Sequence, residues 1–338
     1  MVRNNIKRVF FFLDSRATYS YSKNIIIHFK KYKKLKYETI ISGAYLDRNF
    51  GNSLKMLKKD GIKIGKKISF KSSNNQIHSW AHNLGQAIKH YSVYLGKVKP
   101  DLMVITGDRI ETLAMCLTCS YMNIPIAHVQ AGDKSGHIDD LARGAIAKFS
   151  NIHFASCIDS KNRLLSMGEE KKRIFNVGAP QLDDIHLYIK KNLKIKKTLK
   201  NILIMFHPVL NEREKVKEQI DNIISAVLSF DANVQIIYPN NDLGFKNIIK
   251  RINKLKSKKF KVFKNLDRDK FVKLLNDTSI LIGNSSCGII EAPSFKLRVL
   301  NIGSRQNQRP QAKNILNCNY NRKQIIDSIN FAFNDKKY

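Results

Sequence analysis

The stretch Ile280-Leu281-Ile282-Gly283-Asn284-Ser285-Ser286-Cys287-Gly288-Ile289-Ile290-Glu291-Ala292-Pro293 decides the fold. Its apolar opening, 280–282, predicts a buried strand. The strand stops at Gly283-Asn284-Ser285-Ser286, and a helix follows. Glycine lets the backbone approach a ligand closely, and serine suits a helix N-cap. The free N–H groups and partial positive charge of a helix start suit a phosphate. Glu291 falls about a turn further on, where a carboxylate suits a ribose diol better than a phosphate. The same residues also read as an ordinary strand–turn–helix with a capping serine.

Outward from this stretch the same alternation runs through the chain. In the first half, strands are predicted over 9–13, 37–42, 102–106, 125–130, 152–156 and 174–177, with helices over 19–34, 75–98, 111–122, 139–150 and 160–167 between them. A basic segment, 189–200, reads as a linker or a helix beside one. The pattern then restarts, with strands over 202–206, 234–238, 260–264, 280–282 and, as the last, 299–302. Helices are expected over 212–230, 245–255, 268–276 and finally 323–333. Repeated strand–helix units imply parallel sheets covered on both faces, here two doubly wound halves facing a cleft. Ligands of such sheets sit at the carboxyl ends of the strands.

Composition narrows the function. The chain has 338 residues and is 43% hydrophobic, enough for two domains with cores. Sixty Lys and Arg against 27 Asp and Glu give a net charge of +33. The lysines are spread over the polar faces of predicted helices, without an aromatic-interleaved stripe, an RNA-binding signature or zinc-finger spacing. That distribution argues for solvated faces rather than a specific nucleic-acid partner. Cys116 and Cys119 form a CxxC inside an apolar helical run, so buried thiols are expected, and no His, Cys and Asp group has metal spacing. No run reaches transmembrane length. The apolar 9–13 segment lacks a small-residue cleavage site and reads as a first strand. A cytoplasmic chain with no membrane partner is expected.

Polar residues gather after the predicted strands: Ser15-Arg16, Gly107-Asp108-Arg109, Asp133-Lys134-Ser135-Gly136-His137, His207-Pro208, Gly283–Ser286 and Gly303-Ser304-Arg305-Gln306. Together they favour binding of an anionic nucleotide. Asp108, Asp133, Asp139 and Asp140 offer carboxylates for proton transfer. Asp108 and Asp139 also read as helix N-caps. His128 lies within a strand as a core histidine, whereas His137 and His207 lie in strand-end loops.

These motifs resemble the UDP-N-acetylglucosamine 2-epimerase family. The resemblance rests on Gly107-Asp108-Arg109, His128-Val129-Gln130-Ala131-Gly132-Asp133, Ile138-Asp139-Asp140 with Arg143, and Asn176 to Pro180 with Leu182-Asp183. It continues through Gly283 to Phe295 and Asn301-Ile302-Gly303 with Arg305, Gln306 and Arg309. It extends from Arg16 to about Arg309 and is nearest to the hydrolysing branch that feeds sialic-acid-like sugar synthesis. It implies two Rossmann-like domains of the GT-B type: an N-terminal sugar and catalytic domain over 1–186, a linker over 187–200, a UDP-binding domain over 201–315, and a C-terminal helix over 316–338 that packs back on the first domain.

The resemblance also implies a reaction. A base takes the C2 proton of a UDP-sugar as UDP leaves C1, and water then adds to the glycal. N-acetylmannosamine and UDP would be released from UDP-N-acetylglucosamine. Asp108 and Asp133 would transfer protons, and Asp139 or Asp140 with Arg143 would orient the sugar or assist water. Cationic Arg16 and His207, with the Ser285-Ser286 helix start at Gly283, would stabilise departing UDP. Arg109 would add to substrate binding, and Glu291 would hold the ribose. The reaction requires no metal or other cofactor. Homo-oligomers are usual in the family. The chain departs from the family pattern at Asp14-Ser15-Arg16-Ala17, where Gly-Thr-Arg-Ala is usual, at Gly144, where histidine is common, and at Asp133, where glutamate is frequent. A 2,4-diacetamido-6-deoxy hexose is therefore an alternative sugar. Other readings are a non-hydrolysing epimerase, a GT-B glycosyltransferase, a noncatalytic UDP-sugar sensor and, on charge alone, a nucleic-acid-binding protein.

Overall fold

A computed structural model describes residues 6–47, 54–70, 77–136, 138–192 and 200–334. His137 and the stretch 193–199 of the expected linker lie outside the described residues. The chain forms two compact units. The first runs to Lys134 and resumes from Ile138 to Gln181; the second begins at Leu182 and also takes in Ser135.

In chain order the first unit comprises β1 (Lys7–Leu13), α1 (Arg16–Phe29), β2 (Leu35–Ile41), α2 (Leu54–Lys59), β3 (Lys66–Lys67), α3 (Ile77–Val98), β4 (Leu102–Thr106), α4 (Ile110–Tyr121), β5 (Ile126–Ala131), α5 (Asp139–Phe149), β6 (Ile152–Ala155), α6 (Ile158–Ser166) and β7 (Ile174–Asn176). Among the described residues its strands form one parallel sheet in the order β3-β2-β1-β4-β5-β6-β7. The unbroken run Val9 to Leu13 follows from burial on both faces. Phe10 and Phe12 point to one face, against Tyr91 of α3 and Met115 of α4. Val9, Phe11 and Leu13 point to the other, against Tyr19 and Ile26 of α1.

The second unit comprises α7 (Leu182–Lys191), β8 (Asn201–Met205), α8 (Val216–Leu228), β9 (Asn233–Ile237), α9 (Phe245–Asn253), β10 (Phe260–Phe263), α10 (Arg268–Asp277), β11 (Ile280–Gly283), α11 (Ser286–Ile290), β12 (Arg298–Ile302), β13 (Ile315–Cys318) and α12 (Arg322–Asn334). Its described strands run parallel in the order β10-β9-β8-β11-β12-β13. Ile280 and Ile282 face Ile223, Ile325 and their neighbours, while Leu281 faces Ile185 and Phe295 on the opposite side.

Three expectations change. The last strand is β13, not 299–302; it is a short, half-buried edge strand inside a polar stretch, so periodicity did not reveal it. The short elements α2 and β3 also escaped, being too brief for a periodic signal. The division falls at Leu182 rather than after 186, because α7 buries Ile185 in the second unit's core. The final helix adds Ile325, Ile329 and Ala332 to that core.

In both sheets the strand order reverses at a central pair, β1 with β4 and β8 with β11. Loops leaving the carboxyl ends of such a pair diverge to opposite faces and leave room for a ligand. His128, fully buried in β5, bonds the Gly107 carbonyl through Nε2 at 2.8 Å and so ties the loop after β4. Burial pulls its pKa down to about 4. A histidine ionising near 6.5 when unfolded and near 4 when folded binds more protons in the unfolded chain between those values. Its stability contribution is therefore complete above about pH 6.5 and declines as pH falls towards 4. Buried His153, also lowered, adds to the same decline. Thermal melts of the full chain from pH 7 to pH 4.5 should show this loss, and His128→Gln should make the pH dependence shallower; an unchanged slope would contradict the assignment.

Candidate functional site

In the first unit, β1 delivers Asp14, Ser15 and Arg16 to the reversal point. Ser15 caps α1 in a reciprocal box: its Oγ accepts from the Thr18 N–H at 3.3 Å, and Thr18 Oγ1 accepts from the Ser15 N–H at 3.1 Å. Asp14 is fully buried and accepts from Thr112 Oγ1 at 2.6 Å and Thr18 Oγ1 at 3.1 Å. Burial pushes its carboxyl pKa up, against the opposing pull of Arg109 and the hydroxyls. Arg16 sits half-buried in the first turn of α1. Loss of surrounding water lowers its pKa to about 10, which leaves it cationic at neutral pH.

The loops after β4 and β5 meet on one guanidinium. Arg143 of α5 binds the Asp108 carboxylate, the Asp140 carboxylate at 2.6 Å and the Asp133 carbonyl at 2.9 Å. Asp108, Asp140 and Arg143 thus come together, with Asp133 joined through its main chain. Asp139 occupies the first turn of the same helix. The N-cap readings change: Arg109 and Ile138, not Asp108 and Asp139, precede α4 and α5. Arg109 Nε stands 3.8 Å from Glu111 Oε2. The Asp133 carboxylate turns towards α6, where Ser160 Oγ donates at 2.7 Å and Ser156 Oγ donates to the same oxygen. Just before it, Gln130 adopts φ +61 and the β5–β6 register slips. Gly132 follows at φ +75, where a Cβ would lie 2.3 Å from the Ser160 carbonyl. A bulge of this kind re-aims the residues beyond it. At Gly144 an added Cβ would meet only Met167 Cε at 3.9 Å, an ordinary contact.

In the second unit, Gly283 ends β11 at φ +139, and a Cβ there would lie 2.1 Å from the Met205 carbonyl. Only glycine fits this approach of β11 to β8. Asn284 then bonds the main chain of His207 in both directions at 2.8 Å. Ser285 caps α11, accepting from the Cys287 N–H at 3.4 Å, and Ser286 begins the helix half-buried. His207 Nδ1 accepts from the Asn240 N–H at 3.2 Å. In that arrangement Nε2 is the ring nitrogen left to donate. Glu291 caps the C-terminal end of α11 and accepts from Arg268 Nη1 at 2.5 Å.

Several residues of this arrangement escaped sequence reasoning. Asp14 shows in the sequence only as a departure from the family motif. Glu111 reads there only as the start of a helix. Arg268 lay among lysines with no motif to mark it. Among the described residues no three His, Cys, Asp or Glu side chains converge as a metal set, and no helix is long and apolar enough to cross a membrane. Cys116 and Cys119 are buried free thiols, with Cys116 pushed up to about 12 by burial.

Residues 28–338 match the family model described as UDP-N-acetylglucosamine 2-epimerase. The chain is similar to the hydrolysing UDP-N,N'-diacetylbacillosamine 2-epimerase of Legionella pneumophila, with 31% identity over 98% of this chain and 90% of that one. It is 34% identical to the hydrolysing GDP/UDP-N,N'-diacetylbacillosamine 2-epimerase of Campylobacter jejuni, over 91% of this chain and 83% of that one. Its fold is similar to that of UDP-GlcNAc 2-epimerase from Neisseria meningitidis, solved bound to UDP-GlcNAc. The TM-score is 0.79 and the identity 21%, over 96% of this chain and 91% of that one. With two Rossmann-like units of the GT-B type and a family model spanning most of its length, the chain belongs to the UDP-N-acetylglucosamine 2-epimerase family.

Proposed function

We propose that this chain is a hydrolysing 2-epimerase of a UDP-2-acetamido sugar, cytoplasmic and serving the synthesis of sialic-acid-like sugars. The observation that carries the reading is the pair of carboxylates, Asp108 and Asp140, gathered on Arg143 beside the Asp133 main chain at the strand ends of the first unit. Such a set suits proton removal from carbon, and the Gly283–Glu291 segment of the second unit suits a nucleoside diphosphate. Family membership and two hydrolysing relatives support the same chemistry. Both relatives carry N,N'-diacetylbacillosamine in their names, which favours a UDP-2,4-diacetamido-6-deoxy sugar ahead of UDP-N-acetylglucosamine.

A base takes the C2 proton while the C1–O bond to UDP breaks, and C1=C2 forms. Water then adds its oxygen to C1, and a proton returns to C2 on the opposite face. The sugar leaves free and inverted at C2, and UDP leaves with the C1 oxygen. Carbon is neither oxidised nor reduced overall, so the chemistry needs no redox cofactor. In the first unit Asp108 and Asp133 serve proton transfer. Asp139 or Asp140 with Arg143 orients the sugar, and Arg16 and Arg109 supply positive charge. In the second unit the His207 Nε2–H, the α11 start at Ser285-Ser286 and the close backbone at Gly283 serve the diphosphate as negative charge develops. Glu291 serves the ribose.

Proton NMR in D2O, with UDP-N,N'-diacetylbacillosamine and UDP-N-acetylglucosamine offered separately, tests the reaction. UDP with a free 2-epimeric sugar deuterated at C2 is expected, and faster from the diacetamido substrate. A UDP-linked epimer would replace hydrolysis with the non-hydrolysing outcome, and inert substrates would end the reading. Asp108→Asn and Asp133→Asn should each slow turnover by about a hundredfold or more. UDP affinity, read by calorimetry, should stay within about threefold, since neither carboxylate contacts the nucleotide in this reading. If Asp133→Asn lowered the melting temperature yet left turnover near normal, Asp133 would be an anchor for α6 and not a proton-transfer group.

A further inference from the structure

Arg268 opens α10 with 5% of its surface exposed, although arginine is among the residues least often buried. Its Nη1 donates to Glu291 Oε1 at 2.5 Å and its Nε to Asp184 Oδ2 at 3.2 Å. Its guanidinium also lies over the Phe271 ring, 5.7 Å from the centroid. The group is thus stacked on one face and forked between two carboxylates, one from α7 and one at the end of α11. A planar fork held this way loses little further freedom for each bond it makes, and it hands that rigidity to its partners.

Glu291 gains most from this. A glutamate carboxylate turns about three side-chain bonds, and reading two adjacent hydroxyls demands one orientation of both oxygens. An acceptor held in advance does not lose that freedom again when the ligand arrives. We propose that Arg268 is a positioning residue for nucleotide selectivity, holding Glu291 so that the second unit selects a ribonucleoside diphosphate over its 2'-deoxy counterpart. Asp184 completes the device by engaging Nε, which aligns the fork from the α7 side. The inference rests on the ribose role of Glu291 in the reading above.

Calorimetric titration of the full chain with UDP and with 2'-deoxy-UDP tests it. Loss of a hydrogen bond to a charged acceptor is worth about tenfold or more, so wild type should prefer UDP by at least about that factor. Glu291→Ala should abolish the preference. Arg268→Lys keeps the charge without the planar fork, and should reduce the preference below about threefold while 2'-deoxy-UDP affinity stays within about threefold. Arg268→Met is measured beside it, with circular dichroism melts showing which variants fold. A purely structural arginine would weaken both nucleotides together and leave their ratio unchanged. If Glu291→Ala abolished the preference while the folded Arg268 variants kept it, Arg268 would not be the positioning residue. If wild type showed no preference, or Glu291→Ala retained it, the ribose role itself would fail and the inference with it.

Discussion

Every polar group of Asn284 is engaged, and the strand ends of the second unit depend on it. Its N–H donates to the Met205 carbonyl at 3.1 Å. Its side chain pairs with the His207 main chain, and its carbonyl accepts from Gln306 at 3.0 Å and Arg305 at 3.2 Å. One fully buried residue thus joins the ends of β8 and β11 to the loop after β12. A buried amide has no water to fall back on, so losing one partner leaves a stranded polar group and a penalty of about 1–3 kcal/mol. The positions of His207 and Ser285 follow from this knot. Gly283 makes it possible, because any side chain there would hold β11 away from Met205.

The first unit solves the same geometrical problem with charge. Arg143 gathers Asp108, Asp140 and the Asp133 carbonyl, and Asp14 is sealed beneath the α1 cap. Buried ions are a poor route to stability alone, since desolvation can exceed what their attraction returns. A neutral amide knot would hold these loops as well. Charge kept at the reversal point, where an amide suffices in the other unit, is better understood as chemical equipment than as a fastening. Asp14 sharpens the point. It is fully buried, and Thr18 and Thr112 supply the hydroxyls that its carboxylate needs.

How legible this was in the sequence differed by scale. Strands buried on both faces, such as the run Val9 to Leu13, announce themselves as unbroken apolar segments. Strand-end loops announce themselves by glycine, serine and charge. Two parallel sheets could therefore be read directly. Elements of two to six residues carry too few positions for a period, which hid β3, α2 and β13. The end of α7 runs into a basic segment that reads as a linker, although Leu182, Ile185 and Ile189 recur at helical spacing. Pairings across long separations were not legible either. Arg268 with Glu291 and Arg143 with Asp108 are joined only once the sheet closes, and no local pattern marks the choice of partner.

The two candidate proton-transfer carboxylates are not equivalent in their surroundings. Asp108 is held by a guanidinium, which gives it direction. One Asp133 oxygen accepts from two serine hydroxyls on the α6 side, and the bulge at Gln130 has turned the chain towards them. Accepting a proton on that oxygen means giving up at least one of those bonds, and a proton on the Asp108 oxygen would likewise displace its bond to Arg143. The two carboxylates are therefore held by different means, Asp108 by a guanidinium on α5 and Asp133 by two hydroxyls on the α6 side, so a change at either loop moves one without the other.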